Sequence, residues 1–385
     1  MKIVTVLGST GSVGRTTVNL LKKSSGKYKV DALTADSNWR LLAEQASFLN
    51  PRFVAIANEQ YYMQLKDALS SSDVTVAAGA NAIVEASEGA ADWVMAGIVG
   101  TAGLKPTMAA VRRGITVAFA NKECLVSAGC LMMEEVKKHK TNLLPVDSEH
   151  NAIFQVFETD NRSWINKIIL TASGGPFRDC SLEEMAKKNP EEALAHPTWN
   201  MGKKISIDSA TMMNKGLEII EAHHLFGMQE DSIDVLVHPQ SIVHSLVSYS
   251  DGSVLAQLAH PDMAVPIAYA LAWPDRMEFP MAPLNLADIG SLSFHQPDSI
   301  RFPALELARE AIRSGGNANL VLNAANEVAV EGFLARKISF ADIIPVVKDV
   351  LQREYHRAPT SLEEVFIMED AARRETRAIL QKISK

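Results

Sequence analysis

The chain is poor in cysteine, in positive charge and in long apolar runs, and each shortage excludes a class of protein. Its three cysteines, Cys124, Cys130 and Cys180, are odd in number and show no Cys-x-x-Cys spacing, so neither a disulfide framework nor a thiolate zinc site is expected. A reducing cytoplasm fits that usage. Lys and Arg number 38 against 45 Asp and Glu, a net charge of -7, which argues against a broad nucleic-acid or anionic-membrane surface. The most apolar stretches, residues 93–104 and 263–273, fall short of the roughly 18 residues that a membrane span requires. Residues 3–7 are too short a run for a signal-peptide core. No HExxH spacing, internal repeat or low-complexity tract occurs, and no metal role falls to His150, His223, His224, His238, His244 or His260.

What is present suits a globular protein of two or three domains: 385 residues, 47% hydrophobic and 22% charged. From residue 2 to about 147, short β-branched runs at 3–7, 29–33, 53–57, 92–99, 116–120 and 142–146 alternate with longer helical stretches, which predicts βαβ units and a parallel sheet. Strand-like segments at 167–172, 234–238, 241–248 and 254–258 predict an α+β region after it. Residues 275–302, studded and flanked by Pro274, Pro280, Pro283, Pro297 and Pro303, read as an irregular linker. From residue 304 onward the pattern is helical, broken at Ser314-Gly315-Gly316 and Ala358-Pro359.

Gly8-Ser9-Thr10-Gly11-Ser12-Val13-Gly14 directly follows the first predicted strand and opens a helical pattern over 13–23. A tight turn, close backbone approach to a pyrophosphate and free N–H groups at a helix N-terminus all favour residues without a Cβ, so this is read as a dinucleotide turn. A structural tight turn is the bland alternative. The expected architecture is α/β: a Rossmann-type dinucleotide-binding domain over 1–147, a central α+β catalytic domain over 148–274, the linker over 275–302, and a C-terminal helical domain over 303–385. The second strand ends near Asp36-Ser37-Asn38, where Asp36 could accept from a ribose 2′-hydroxyl and Ser37 and Asn38 could donate to a 2′-phosphate; the spacing leaves NAD and NADP open.

Asp147-Ser148-Glu149-His150 lies at a predicted strand's carboxyl end, where its two carboxylates suit a hard divalent ion or, equally, a helix start with Asp147 or Ser148 as N-cap. In Asp208-Ser209-Ala210-Thr211-Met212-Met213-Asn214-Lys215-Gly216-Leu217-Glu218, a helix running through would put Asn214 and Lys215 on the face of Glu218. Hydroxyls at Ser209 and Thr211 favour an anion site there, whereas Lys215 with Glu218 alone could be a surface ion pair. Ser173-Gly174-Gly175-Pro176-Phe177 is a second glycine turn after a strand, a phosphate cradle or a sharp bend before a helix over 181–188. His196-Pro197-Thr198-Trp199-Asn200-Met201-Gly202 reads as a lid loop or as a loop anchored by a buried Trp199. Asn121-Lys122-Glu123 closes a strand, where Lys122 could bridge a cofactor and a substrate; Cys124 beside it reads as a small buried residue.

In order and spacing these segments, with Ala120-Asn121-Lys122-Glu123, Leu144-Pro145-Val146, His238-Pro239-Gln240-Ser241 and Asn323-Ala324-Ala325-Asn326-Glu327, closely resemble the 1-deoxy-D-xylulose 5-phosphate reductoisomerase family. The resemblance implies a cytoplasmic homodimer that uses NADPH and one divalent cation, Mn²⁺, Mg²⁺ or Co²⁺, to rearrange and reduce a phosphorylated ketose, with no nucleic-acid or membrane partner. It implies metal ligation by Asp147, Glu149 and Glu218, with phosphate held by Ser173, Ser209, Asn214 and Lys215. Lys122, Ser148, Glu149, His196 and Glu218 would contact the substrate beneath a flap carrying Trp199, with Lys122, Asp147, Glu149 and Glu218 as the catalytic set. Cofactor contacts carry over to Gly8, Thr10, Gly11, Ser12, Val13, Asn121, Glu123 and Gly202, with Asp36, Ser37 and Asn38 near the adenosine ribose phosphate. The competitors are a metal-independent NAD(P)-dependent dehydrogenase of a sugar phosphate or semialdehyde, a metal-dependent phosphosugar aldolase or isomerase, and a redox-sensing regulator.

Overall fold

Each apolar run in the first 147 residues forms a strand, since aliphatic and β-branched residues bounded by turns fit a sheet buried on both faces. The computed structural model describes residues 1–24, 26–199, 201–353 and 357–383; Asn200 of the loop motif lies outside them. Two compact units result, Met1–Cys124 with Met132–Phe154 and Asp262–Pro283, and Leu125–Leu131 with Gln155–Pro261 and Leu284–Lys385.

The first unit is built on β1 (Lys2–Leu7), β2 (Tyr28–Ala35), β3 (Phe53–Ile56), β4 (Thr75–Ala78), β5 (Trp93–Ala96), β6 (Thr116–Phe119) and β7 (Asn142–Pro145). They pair in parallel in the order β4-β3-β2-β1-β5-β6-β7. Strand order reverses between β1 and β5, so the crevice at their carboxyl ends is where such a sheet takes its ligands. Two differences from expectation have local causes. β4 is a short Thr-Val-Ala-Ala edge strand with little apolar signal. β5 stops at Ala96 rather than at 99, because the chain turns away through Gly97 and Gly100, the latter at φ +71°. Val4, Val6, Leu33, Val54, Ile56, Trp93 and Met95 form the core.

The helix Ala264–Ala272 also belongs to this unit, although the sequence reading puts it in the catalytic segment. Its physical reason is apolarity: Ile267, Ala270 and Leu271 are buried in the same core. Trp93 donates its indole N–H to Ala270 O at 2.9 Å, and Lys2 donates to the carbonyls of Leu271 and Trp273 at 2.9 and 3.2 Å, satisfying the helix's last acceptors.

The second unit holds a mixed sheet of β8 (Ile165–Ala172), β9 (Ile233–Val237), β10 (Val243–Tyr249) and β11 (Val254–Leu258), ordered β11-β10-β8-β9, with only β8 and β9 parallel among its pairs. The helices Ala304–Ser314, Ala318–Leu334, Ile343–Arg353 and Leu362–Ile383 make the expected C-terminal bundle, and Ala318–Leu334 runs through its middle with Val321, Leu322, Ala325 and Ala329 buried. The segment 208–218 is not one helix. Lys203–Thr211 and Met213–Phe226 are separated by Met212 in the left-handed region at φ +62°. Among the described residues no helix is long and apolar enough to cross a membrane.

Candidate active site

In the first unit the chain leaves β1 through Gly8 at φ +76°, a conformation that penalises any side chain. A Cβ on Gly14 would stand 2.2 Å from Gly8 O and 2.5 Å from the Ser9 Cα, so the turn closes only over a glycine. The helix Ser12–Lys23 then starts from Gly11, which supplies no side-chain cap, leaving its first N–H groups to serve another acceptor. Thr34 fixes the turn by accepting from Gly8 N through its hydroxyl at 2.9 Å and from Ser9 N through its carbonyl at 2.7 Å. Buried Gln45 fixes it from the other side, accepting from Ser9 Oγ at 2.7 Å and donating to Ser9 O at 2.9 Å. Thr10 is half-buried, and Gly11 and Ser12 are exposed. Asp36, Ser37 and Asn38 are exposed at the end of β2, where Asn38 caps the helix Trp39–Leu49 by accepting from Leu41 N at 3.2 Å.

At the ends of β6 and β7 the same unit gathers charge. Asn121 caps the helix Lys122–His139 by accepting from Cys124 N, and donates to the carbonyls of Ile98 and Gly100 in the loop after β5. The capped helix places Lys122 and Glu123, both buried, in its first turn. Lys122 forms an ion pair with Asp147, whose side chain also accepts from Ser148 N at 3.1 Å. Ser148 donates through its hydroxyl to Glu149 at 2.6 Å. Asp147 therefore stands just beyond the end of β7, and Glu149 lies in the first turn of the helix Ser148–Val156.

In the second unit β8 ends in Ser173-Gly174-Gly175, with both glycines at positive φ. Ser173 Oγ accepts from Gly175 N at 3.2 Å and lies 3.0 Å from His196 Nε2. His196 Nδ1 accepts from Thr198 N and Trp199 N at 3.1 and 2.9 Å, which assigns the ring proton to Nε2 and makes Ser173 its acceptor. Burial lowers the pKa of His196, consistent with a neutral ring. Trp199 is half-buried, with its ring edge-on to His244 at 6.4 Å, and Gly202 is the exposed start of the helix Lys203–Thr211. The turn of Gly175 packs against the chain beside it, where an added Cβ would be 2.5 Å from Ser209 O.

Glu218 is sealed from water, and so is its partner Lys215, 2.5 Å away. Asn214 donates to the other Glu218 oxygen at 2.6 Å. The break at Met212 puts Asn214 and Lys215 in the first turn of a new helix, where backbone N–H groups point outward, rather than in the middle of a long one. An amide, an ammonium and helix-start N–H groups beside Ser209 form a donor set of the kind that takes a phosphate.

Three family models cover most of the chain: 1-deoxy-D-xylulose 5-phosphate reductoisomerase over residues 4–129, its C-terminal domain over 143–226, and the DXP reductoisomerase C-terminal domain over 258–375. The chain is 53% identical over 382 residues to the reductoisomerase of Zymomonas mobilis, covering 99% of this chain and 98% of that one. The chain belongs to the 1-deoxy-D-xylulose 5-phosphate reductoisomerase family. The reductoisomerase of Rhodospirillum centenum is 57% identical over 374 residues, covering 97% and 93% of the two chains. The solved Zymomonas mobilis reductoisomerase in complex with NADPH matches with a TM-score of 0.95 at 53% identity, covering 98% and 99%. A reductoisomerase solved with NADPH, fosmidomycin and magnesium matches with a TM-score of 0.93 at 42% identity, covering 99% and 98%.

Of the residues that the sequence singles out in this reductoisomerase chain, the first unit joins Lys122 to Asp147 and Ser148 to Glu149, and the second joins Ser173 to His196 and both Asn214 and Lys215 to Glu218. Gln45 and the loop of Gly97 and Gly100 escape the sequence reading. Gln45 carried a signal, a polar residue between Leu42 and Ala46 on an apolar helical face. The loop carried a weaker one, Gly-x-x-Gly at the end of a strand.

Proposed function

We propose that this chain converts 1-deoxy-D-xylulose 5-phosphate to 2-C-methyl-D-erythritol 4-phosphate with NADPH and a divalent cation, a step of non-mevalonate isoprenoid precursor synthesis, as a cytoplasmic homodimer. Family membership along nearly the whole chain carries the reading. The residues fit both groups. The uncapped helix start after Gly11 offers N–H groups to a pyrophosphate, and the Cβ-free Gly8 and Gly14 admit close approach. We assign NADPH contacts to Gly8, Thr10, Gly11, Ser12, Val13, Asp36, Ser37, Asn38, Asn121, Glu123 and Gly202.

Asp147, Glu149 and Glu218 would together hold the cation. All three offer carboxylate oxygens, the donor type that Mg²⁺ and Mn²⁺ prefer, and the buried Glu218 is already balanced by a cationic side chain. When bound, the cation would polarise the ketose carbonyl and neighbouring hydroxyl, and NADPH would supply hydride. The chain's own residues do the rest. Ser173, Ser209, Asn214 and Lys215 clamp the phosphate, giving remote binding energy that orients the carbon skeleton. Lys122 and Ser148 hold substrate oxygens beside Asp147 and Glu149. His196, as a neutral Nε2–H donor, ties the loop bearing Trp199 to Ser173, and that loop excludes water from the reaction.

The test is NADPH oxidation with 1-deoxy-D-xylulose 5-phosphate, with and without a chelator, in wild type and Glu218→Gln. We expect cation-dependent oxidation, and a loss on the order of 1000-fold in the variant, as when an electrostatic group at developing charge is removed. Robust turnover in chelator would favour a plain dehydrogenase and sink the metal assignment. No oxidation by folded, metal-supplied wild type would sink the substrate.

A further inference from the structure

Asp208 has no part in the chemistry above, yet it is an acid only 1% exposed, next in sequence to Ser209. A carboxylate taken out of water is costly unless it is paired and hydrogen-bonded. Here it is both. Lys204 Nζ lies 2.8 Å from one oxygen, and Asn326 Nδ2 donates to the other at 2.8 Å. Lys204 sits one turn earlier on the same helix, whereas Asn326 is fully buried in the middle of Ala318–Leu334, which runs through the C-terminal bundle.

The backbone around Asp208 is the junction where the phosphate donors meet. The helix Lys203–Thr211 ends just after it, Met212 turns the chain at φ +62°, and Asn214 and Lys215 follow in the next first turn. Thr211 Oγ1 accepts from Met213 N and donates to the carbonyls of Ile207 and Asp208, fastening the turn to the helix end. The Ser173 turn leans on the same spot through Gly175, whose missing Cβ leaves room for Ser209 O. A shift of the helix end would therefore displace Ser209 and its neighbours against Ser173 together.

We propose that Asp208, held by Lys204 and Asn326, is a positioning residue that sets the geometry of the phosphate clamp, and thereby makes phosphate affinity depend on the C-terminal helix Ala318–Leu334. This rests on the reading of Ser173, Ser209, Asn214 and Lys215 as phosphate donors. A displacement of one ångström in a binding group is enough to cost binding and orientation.

The full chain is tested as wild type, Asn326→Leu, Lys204→Met, and the exchanged pair Asp208→Asn with Asn326→Asp. The readouts are the calorimetric Kd of inorganic phosphate, KM for 1-deoxy-D-xylulose 5-phosphate and for NADPH, kcat and Tm. Asn326→Leu should raise the phosphate Kd and the phosphorylated-substrate KM in parallel by about tenfold, the worth of a hydrogen bond to a charged group, with NADPH KM and kcat within about twofold. The exchanged pair, which keeps one carboxylate and one amide between the helices, should return the phosphate Kd to within about threefold of wild type. A lowered Tm with unchanged phosphate Kd would show mere structural support and overturn the proposal, as would an equal rise in both KM values. If Asn326→Leu does not fold, Lys204→Met decides, its side chain being partly exposed and its loss milder. Wild type that binds phosphate but oxidises no NADPH would defeat the functional reading, while the change in phosphate Kd would still judge the role of Asp208.

Discussion

In the proposed function the glycine turn of the first unit and the helix pair Lys203–Thr211 and Met213–Phe226 of the second both hold phosphate groups, by opposite means. The turn works by what it omits: no Cβ at Gly8, Gly11 and Gly14, and no side-chain cap on the helix that follows. The helix pair works by what it buries, with Lys215, Glu218, Asp208 and Glu221 nearly sealed from water. A site made by backbone shape fails sterically and is indifferent to pH. A site made from buried charge fails electrostatically, and its neighbours feel acid.

The widest separation of the two should come from Lys215→Met. Removing the ammonium leaves the sealed Glu218 carboxylate without its paired cation, a loss of about 3–5 kcal/mol for a buried pair broken on one side. Urea unfolding should register that loss, and millimolar Mn²⁺ should restore part of it by supplying positive charge to the same carboxylate. A change below about 1 kcal/mol, within the usual range of an exposed pair, would show that the burial of this pair is not felt.

Acid gives the next contrast. Burial, and then the neighbouring His223, lower the pKa of His224 to about 4. The unfolded chain takes up this proton near pH 6.5 and the folded one only near 4, so the unfolded state binds more protons throughout that window. The contribution is whole above about pH 6.5 and is lost as pH falls towards 4, at about 1.4 kcal/mol per unit, or roughly 2 kcal/mol by pH 5. His196, also lowered by burial, acts in the same direction. Unfolding free energies of wild type and His224→Gln at pH 7 and pH 5 test this, and the variant should show the shallower fall. Parallel slopes would remove His224 from the account.

These same features mark how far the sequence could be read. The strands, the glycine turn and the C-terminal helices were legible because period, turn residues and β-branching are local properties. β4 was not, since Thr75–Ala78 is a short edge strand with two alanines. The break at Met212 was not legible either, because methionine has no preference for the left-handed region that it occupies there. Asp147, Glu149 and Glu218 were visible as a candidate carboxylate set by residue type and spacing, whereas the complete burial of Glu218 was not. Gln45 and Asn326 act on Ser9 and Asp208 across 36 and 118 positions, which no spacing rule reaches.

A steric prediction isolates the backbone-built half. In Gly14→Ala the new Cβ meets the Gly8 carbonyl and the Ser9 Cα, main-chain atoms that cannot swing aside, and overpacking of this kind costs about 1–3 kcal/mol. Fluorescence titration should show NADPH affinity falling by on the order of 10- to 100-fold, with the Kd of inorganic phosphate within about twofold of wild type. NADPH affinity of Gly14→Ala within about twofold of wild type would show that close packing at Gly14 is not what shapes the turn.

The smallest expected effect tests whether charge matters anywhere in the glycine-turn half. Asp36 is exposed at the end of β2, and its backbone carbonyl accepts from Asn58 N, so Asp36→Ala should leave the loop in place. A carboxylate within about 6 Å of the 2′-phosphate would repel it in water by roughly 0.7 kcal/mol, so the variant should bind NADPH about threefold more tightly at low salt. That gain should vanish at 1 M salt, where the screening length is about 3 Å. Weaker binding by Asp36→Ala at every salt concentration would reverse the inference, because the carboxylate would then be accepting a hydrogen bond from the cofactor, and the glycine turn would share with the helix pair a reliance on side-chain charge.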